Sequence, residues 1–185
     1  MINRKFFFDY VRSHLFDGKL SQKQVAGANA ILSEWDAKYA KKDDRWLAYM
    51  FATTHHETDR TIQPIEEYGK GKGLEYGKRD PVTGQTYYGR GFVQLTWKRN
   101  YASMGKKLQV DLLNHPERAL DLAVATQVLF QGMMEGSFTG VKLANYFSSD
   151  KDDWVNARRI INGLDKANLI ATYAKTYYAA ISHTT

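Results

Sequence analysis

The sequence contains no cysteine, which excludes disulfide bonds and thiolate chemistry. It has no run of 18 consecutive apolar residues, and the apolar triplet near its start ends at Asp9, far short of a signal-peptide core. Neither an internal repeat nor a low-complexity tract is visible. We therefore expect cytoplasmic synthesis, no stable membrane insertion and one domain over residues 1–185 that needs no covalent staple.

Basic residues outnumber acidic ones, with 26 Lys and Arg against 20 Asp and Glu, so the net charge is +6. This charge attracts polyanions at low salt, whether nucleic acid, anionic lipid or an anionic cell-wall polymer. The basic residues are scattered and no nucleic-acid recognition motif is present, so we do not expect a nucleic-acid partner. Charge alone does not choose among the remaining polyanions.

Helical periodicity recurs along most of the chain and predicts an α-dominated α+β protein with about seven helices. Ser21 and Gln24 match a capping box, and a long helix is expected over residues 114–134. Two further helices, over residues 152–161 and 166–181, follow it. Residues 69–93 hold 7 of the 14 glycines together with strand-like residues, which predicts a small inserted β-hairpin lobe forming one wall of a cleft.

Glu57 is a carboxyl group on an apolar helical face, because it lies nearly two turns after Met50 at the end of the predicted third helix. Burial and the negative end of the helix dipole both disfavour its ionised form, as a proton donor requires. The alternative is a buried acid paired with Arg60, Arg158 or Arg159. Helical phase does not choose between these two interpretations.

Glu66 and Glu67 form a second acidic pair in a segment that Pro64 makes unlikely to be helical. One of these carboxylates could face Glu57 across a cleft while its neighbour faces water. A buried, helix-borne carboxyl opposite a solvated, loop-borne one is the arrangement that glycoside hydrolysis needs. The alternative is plain solvated surface, which is the commoner place for acidic pairs in loops.

The sequence lacks the motifs of the other catalytic classes that these residues could suggest. A zinc protease needs two His at i and i+4, whereas His55 and His56 are adjacent and point about 100° apart, so no metal site is expected. We expect one of the two to hydrogen-bond within the helical core. No G-x-S-x-G elbow is present, and GKGKG lacks the Ser or Thr of a phosphate-binding loop, so neither a serine triad nor a cofactor is expected.

The segment YYGRGFVQLTWKRNY concentrates polar side chains beside two glycines that permit close backbone approach. Amide and hydroxyl groups in this segment match the needs of sugar hydroxyl and acetamido groups. The alternative is a hairpin whose polar groups only satisfy its backbone. Trp97, Tyr101, Met104 and Leu108 then share one face of the next predicted helix.

These motifs together resemble one family. HET, a Glu after QPI, YYGRGFVQLTW-x-x-NY and IING occur in the order found in glycoside hydrolase family 19, the chitinases and related phage endolysins. The resemblance covers residues 46–163 and implies a lysozyme-like fold with a cleft between helices and a β lobe. The short loops and the missing cysteines are more similar to the endolysin branch.

The resemblance also implies site residues. It makes Glu57 the general acid, Glu67 the second carboxylate, with Glu66 as its neighbour and competitor, and Thr96 the residue that positions the attacking water. The expected substrate-binding residues are Glu66, Tyr88, Arg90, Gln94, Asn100 and Asn162. One departure from the family pattern is Leu164, which stands where chitinases commonly have a second glycine after IING.

The implied activity is hydrolysis of peptidoglycan glycan strands with inversion at the anomeric carbon. The alternatives are a chitinase acting on N-acetylglucosamine polymers and a non-catalytic carbohydrate-binding protein. The endolysin resemblance implies a monomer without a separate wall-binding domain. It also implies storage in the host bacterial cytoplasm and action in the periplasm, after release by a separate holin-type protein.

Overall fold

Helices dominate residues 2–182, the part of the chain that the computed structural model describes. The six α-helices of this part are α1 Arg4–Leu15, α2 Gln22–Lys38, α3 Asp44–Glu57, α4 Lys98–Leu108, α5 Leu122–Glu135 and α6 Ala167–Ile181. Four short 3-10 helices lie between them, at Glu75–Gly77, Pro116–Leu120, Leu143–Asn145 and Asn156–Ile160. Two small antiparallel sheets pair β1 Ile65–Glu66 with β2 Arg90–Gly91, and β3 Phe147–Ser148 with β4 Lys151–Asp152. The predicted α-dominated α+β class is confirmed.

The first three helices begin at side-chain caps that satisfy their free backbone N–H groups. The Asn3 side chain accepts from the Phe6 backbone N–H, and Asp43 caps α3 by accepting from that of Arg45. At α2 the predicted capping box is confirmed, because Ser21 and Gln24 each bond the other's backbone N–H.

Two predicted helices differ from the observed elements. The helix expected over residues 114–134 is split at Asp121, whose extended backbone separates the 3-10 helix Pro116–Leu120 from α5. Asn114, the first residue of the expected helix, lies before the 3-10 helix and donates its side-chain amide to Asp111. The helix expected over residues 152–161 is the short 3-10 helix Asn156–Ile160, preceded by β4. Helical periodicity found both regions but did not distinguish one turn of 3-10 helix from an α-helix.

The core is organised around α3, which is buried from Leu47 to His55 and packs along α6. Phe51 of α3 stacks on Tyr177 of α6, with ring centroids 5.1 Å apart, and Phe7 of α1 contacts both rings. Because α3 is buried along most of its length, it is held rigidly, and its C-terminal residue Glu57 has a defined position.

The β lobe lies between α3 and α4 and is closed at its base by β1 and β2. Ile65 pairs with Gly91 and Glu66 with Arg90, so the lobe includes residues 65–91, close to the predicted 69–93. Gly71 and Gly77 cross closely inside it: a Cβ on Gly77 would lie 2.0 Å from the Gly71 carbonyl oxygen. The glycines therefore allow the lobe to fold as a compact loop with very little sheet.

No helix within residues 2–182 combines the length and the apolar character needed to cross a membrane.

His55 confirms the prediction that one histidine of the pair hydrogen-bonds in the helical core. It is 1% exposed, and its Nδ1 lies 3.0 Å from the Tyr177 hydroxyl. Burial, helped by the nearby positive charge of Arg60, lowers the pKa of His55 to about 4. The imidazole is therefore neutral in the folded protein at neutral pH.

We expect His55 to make stability fall with acidity between about pH 6.5 and pH 4. In that window the unfolded chain binds a proton that the folded chain rejects, so the free energy of unfolding decreases as pH falls. The full effect is at most about 3 kcal/mol, at 1.36 kcal/mol for each pKa unit. Urea unfolding at pH 7 and pH 4.5 measures it in the wild type and in His55→Gln, whose amide cannot be protonated in this range.

The control is His14→Gln, because His14 is exposed on α1. This variant should retain the acid sensitivity of the wild type, whereas His55→Gln should lose a large part of it. Equal acid sensitivity in the wild type and in His55→Gln would contradict the assignment.

Candidate active site

A cleft of about 360 Å³ lies where the C-terminal end of α3 meets the loop before α4. Its lining residues are Glu57, Tyr76, Val93, Gln94, Leu95, Thr96, Trp97, Arg99, Asn100, Phe138, Ile161 and Asn162. The structure therefore brings together Glu57, Gln94, Thr96, Asn100 and Asn162 from the predicted site. Tyr76 contributes the β lobe's part of the wall, as the predicted fold required.

Glu57 both lines the cleft and forms a buried ion pair. Its Oε1 accepts a hydrogen bond from Nη1 of Arg158 at 2.6 Å, and the side chains are 16% and 3% exposed respectively. Arg158 is thus the partner among the three arginines considered from the sequence. The interpretation of Glu57 as a buried, paired acid is confirmed, and pairing through Oε1 leaves Oε2 for another ligand in the cleft.

Arg158 is fixed by its own backbone contacts. It lies in the 3-10 helix Asn156–Ile160, and its Nε donates to the carbonyl oxygen of Asp165 at 3.1 Å. Its own carbonyl oxygen accepts from the backbone N–H of Asn162, a cleft residue. Arg158 therefore joins the end of α3 to the segment that carries the far wall of the cleft.

Glu67 is tied to the cleft through Tyr76. Its Oε1 accepts from the Tyr76 hydroxyl at 3.1 Å, and its Oε2 accepts from the backbone N–H of Gly89 at 3.1 Å. Burial and then the hydrogen bond to Glu67 raise the pKa of Tyr76 above its ordinary value, so the hydroxyl keeps its proton. Of the two adjacent glutamates, it is Glu67 that hydrogen-bonds a residue of the cleft lining, Tyr76.

Glu66 points to a different set of partners, as alternate side chains of an extended segment do. Its Oε1 accepts from the Tyr88 hydroxyl at 2.6 Å, and its Oε2 lies 2.8 Å from Nζ of Lys70. The hydrogen bonds from Lys70 and Tyr88 hold the pKa of Glu66 below its ordinary value. Glu66 is therefore a charged part of the lobe's internal network and does not line the cleft.

Tyr88 and Arg90 also lie away from the cleft wall, although the sequence placed them in the substrate site. They are 8% and 5% exposed, and the Arg90 guanidinium covers the Tyr88 ring at 3.7 Å from its centroid. Nη1 of Arg90 donates to the Thr86 carbonyl oxygen at 3.0 Å and to the Tyr101 hydroxyl at 3.1 Å. Their polar groups hold the lobe on α4, which was the alternative interpretation of this segment.

The loop before α4 supplies three polar cleft residues that also brace one another. Thr96 Oγ1 donates to the Gln94 carbonyl oxygen at 2.7 Å, and Asn100 Nδ2 donates to the Thr96 carbonyl oxygen at 2.8 Å. Gln94 Nε2 donates to the Ile65 carbonyl oxygen at 3.1 Å, which attaches the loop to β1. Thr96 Oγ1 keeps its acceptor lone pairs, so it can hold a water molecule in the cleft.

Trp97 and Tyr76 are cleft residues that sequence reasoning missed. Trp97 was expected on the apolar face of the following helix, but it is 45% exposed and stands at the N-cap of α4 with a φ of 76°. Its ring meets that of Tyr76 edge to face, with centroids 5.2 Å apart. Such an exposed aromatic pair suits stacking on a sugar ring. Its proximity to Thr96 in the motif was a signal that pointed to the cleft.

The two adjacent histidines have separate environments, His55 in the core and His56 half-buried. Among residues 2–182, no group of three or more His, Asp or Glu side chains is arranged to hold a metal ion.

We expect Arg158→Met to lower the free energy of unfolding by about 3 kcal/mol, because it leaves the Glu57 carboxylate without its buried partner. The matched control is Arg60→Met, which breaks an ion pair to Asp17 that is also 2.6 Å long but has side chains 47% and 86% exposed. That exposed pair should contribute less than about 1 kcal/mol. Urea unfolding at pH 7 compares the two variants, and equal losses would show that the Glu57 pair is effectively solvated.

Comparison with known proteins places this chain in a family. The family model described as chitinase class I, glycoside hydrolase family 19, matches residues 24–137. An acidic endochitinase of Beta vulgaris is 36% identical over 138 residues, covering 65% of this chain and 46% of the relative. An endochitinase of Arabidopsis thaliana is 33% identical over 135 residues, covering 69% and 45% respectively. The chain thus spans less than half the length of these relatives.

Solved structures share the fold. Chitinase C from Streptomyces griseus superposes with a TM-score of 0.65 at 21% identity, covering 100% of this chain and 79% of that one. A class IV chitinase from Zea mays gives a TM-score of 0.58 at 19% identity, covering 93% and 90%. The lysozyme-like fold implied by the motifs is therefore confirmed. With its family model matched across α3, the β lobe and α5, the chain belongs to glycoside hydrolase family 19.

Proposed function

We propose that this protein is a glycoside hydrolase that cleaves the glycan strands of bacterial peptidoglycan with Glu57 and Glu67 as its acid and base. The observation that carries the proposal is the cleft that Glu57 shares with Thr96 and Asn100, with Glu67 attached to Tyr76 on its wall. In this proposal Glu57 donates the proton, Thr96 positions the attacking water, and the amides of the lining contact the sugar. Family membership supports a glycan as the substrate.

The proposed reaction is a single displacement. Protonated Glu57 gives its proton to the glycosidic oxygen, and the bond from that oxygen to the anomeric carbon breaks. Water held by Thr96 attacks the opposite face of the anomeric carbon, and its proton passes to Glu67. One bond is broken, one is formed, and the configuration inverts; this geometry requires carboxyl groups roughly 6.5–9.5 Å apart.

Arg158 contributes to the proton transfer through charge. Glu57 becomes a carboxylate as it releases its proton, and the Arg158 guanidinium at 2.6 Å stabilises that negative charge. Arg158 therefore acts as a positioning residue for Glu57.

The positive net charge of +6 supports peptidoglycan as the substrate, because its peptides carry carboxylates and attraction to them speeds encounter. The alternative is a chitinase acting on neutral N-acetylglucosamine polymers. That alternative is favoured by the relatives, which are endochitinases. A non-catalytic carbohydrate-binding protein would keep the polar lining, but it would have no need of Glu57 in the cleft.

We also propose an endolysin role, supported by the short loops and the missing cysteines. In this role the protein is stored in the host cytoplasm and reaches the periplasm through a separate holin-type protein. A monomeric state remains our prediction.

We expect purified peptidoglycan to be cleaved at its glycan bonds with inverted anomeric configuration. Mass spectrometry of the products, beside those from chitin oligomers, identifies the substrate and the bond, and proton NMR of early products reports the configuration. Glu57→Gln should lower kcat by roughly 10²–10⁴-fold, because an amide cannot supply the proton. Retained configuration, an anhydro sugar end or full activity of Glu57→Gln would each refute the proposed reaction.

Variants of the two adjacent glutamates show which of them acts as the general base. Glu67→Gln should lower kcat by at least about 10²-fold, because the general base is lost. Glu66→Gln should keep near-normal kcat and lose less than about 1 kcal/mol of stability, because its partner Lys70 is exposed. Initial rates and urea unfolding of both variants provide the comparison, and the reverse pattern of activities would assign the base to Glu66.

A further inference from the structure

Among the described residues that line the cleft, Arg99 has the one positively charged side chain. It follows Trp97 and Lys98 in the first turn of α4, and its side chain is exposed. Within residues 2–182 its guanidinium has no ion-pair or hydrogen-bond partner. It therefore presents an unsatisfied set of donors to whatever occupies the cleft.

Three lysines of the lobe and of α4 differ from Arg99, because each already forms an ion pair with a carboxylate. Lys98 pairs with Asp80 at 2.7 Å, Lys70 pairs with Glu66 at 2.8 Å, and Lys78 pairs with Glu75. Lys78 and Lys98 line a separate depression of about 300 Å³ that shares Tyr76 and Trp97 with the cleft. The two lysines of that depression pair with its own carboxylates, Glu75 and Asp80, and its Arg79 donates from Nε to the Gly84 carbonyl oxygen.

A free guanidinium distinguishes ligands by charge. With a neutral sugar it forms ordinary hydrogen bonds, whereas with a carboxylate it forms charge-assisted, often bidentate ones of about twice the strength. A polymer of N-acetylglucosamine carries no carboxylate. Peptidoglycan carries them on its peptides, and on the lactyl groups of its N-acetylmuramic acid residues where the peptide has been removed.

We propose that Arg99 is a specificity-determining residue that binds a carboxylate of the glycan substrate and so favours anionic over neutral glycans. This inference rests on the proposed function, since it concerns the substrate of the same cleft. Glu57, the acidic group of the lining, is held by Arg158, so Arg99 is available to the substrate. Arg99 acts in binding and takes no part in proton transfer.

The test compares kcat/KM of the wild type, R99Q, R99K and R159Q. Arg159 is the matched control, because it is an exposed arginine outside the cleft lining and its loss changes the net charge equally. The three substrates are intact peptidoglycan, glycan strands freed of peptides by an amidase, and neutral N-acetylglucosamine oligomers. Thermal unfolding of each variant checks that the fold is retained.

We expect R99Q to lose about tenfold in kcat/KM on at least one of the two carboxylate-bearing substrates, chiefly through KM, which corresponds to about 1.4 kcal/mol. Activity on the neutral oligomers should fall much less, because the Gln amide still forms ordinary hydrogen bonds, and R159Q should match the wild type on all three. R99K should recover part of the loss, because it restores the charge without the planar fork. The salt dependence of activity on peptidoglycan should also become shallower in R99Q.

The two carboxylate sources separate cleanly. A loss confined to intact peptidoglycan assigns the contact to a peptide carboxylate, and a loss confined to stripped strands assigns it to the lactyl group. An equal loss on neutral oligomers, or no loss on any substrate, overturns the inference.

A binding measurement keeps the inference distinct from the proposed function. Co-sedimentation with insoluble peptidoglycan compares E57Q with the double variant E57Q/R99Q, neither of which depends on turnover. Weaker binding of the double variant supports the carboxylate contact even if the wild type hydrolyses no peptidoglycan. Equal binding overturns it, whatever the activity.

Discussion

The buried ion pair between Glu57 and Arg158 is the contact on which the geometry of the cleft depends. It joins the end of α3 to the chain around Asn162 by a 2.6 Å hydrogen bond between groups that are almost withdrawn from water. Such a pair is costly to desolvate, and removing either partner strands the other. The pair is fixed in place because α3 is buried along most of its length and because the carbonyl oxygen of Asp165 holds the other edge of the guanidinium. The candidate acid is thus defined by the core as much as by the cleft.

A second network of polar contacts, centred on Arg90, holds the β lobe in place. With only two residues in each strand at its base, the lobe cannot be held by sheet hydrogen bonds alone. Arg90 fills this role from inside, covering Tyr88 and bonding Tyr101 of α4, with its Nε 3.7 Å from Glu66. Glu66 is therefore occupied by the lobe's own cations. Glu67, one residue on, does not line the cleft itself but accepts a hydrogen bond from Tyr76, which does.

These two networks leave few charged groups for a substrate. The cleft wall is built mainly from amides, a hydroxyl and the Tyr76-Trp97 aromatic pair, which suits a glycan of any kind. Family membership agrees with this chemistry. The similar endochitinases belong to the same family, and this chain matches part of their length. Charge is what could separate one glycan from another, and Arg99 is where the cleft offers it.

The sequence by itself determined the fold class, the capping box of α2, the position of the glycine-rich lobe and the phase that directs Glu57 off the end of α3. These features follow from periodicity, capping chemistry and glycine content, which act within a few residues of the chain. Tertiary structure alone decided that Arg158 is the partner of Glu57, that Arg90 and Tyr88 support the lobe, and that Trp97 faces the cleft. Each of these depends on which distant segments meet, and hydrogen-bond partners separated by as many as 101 residues leave no local pattern to read.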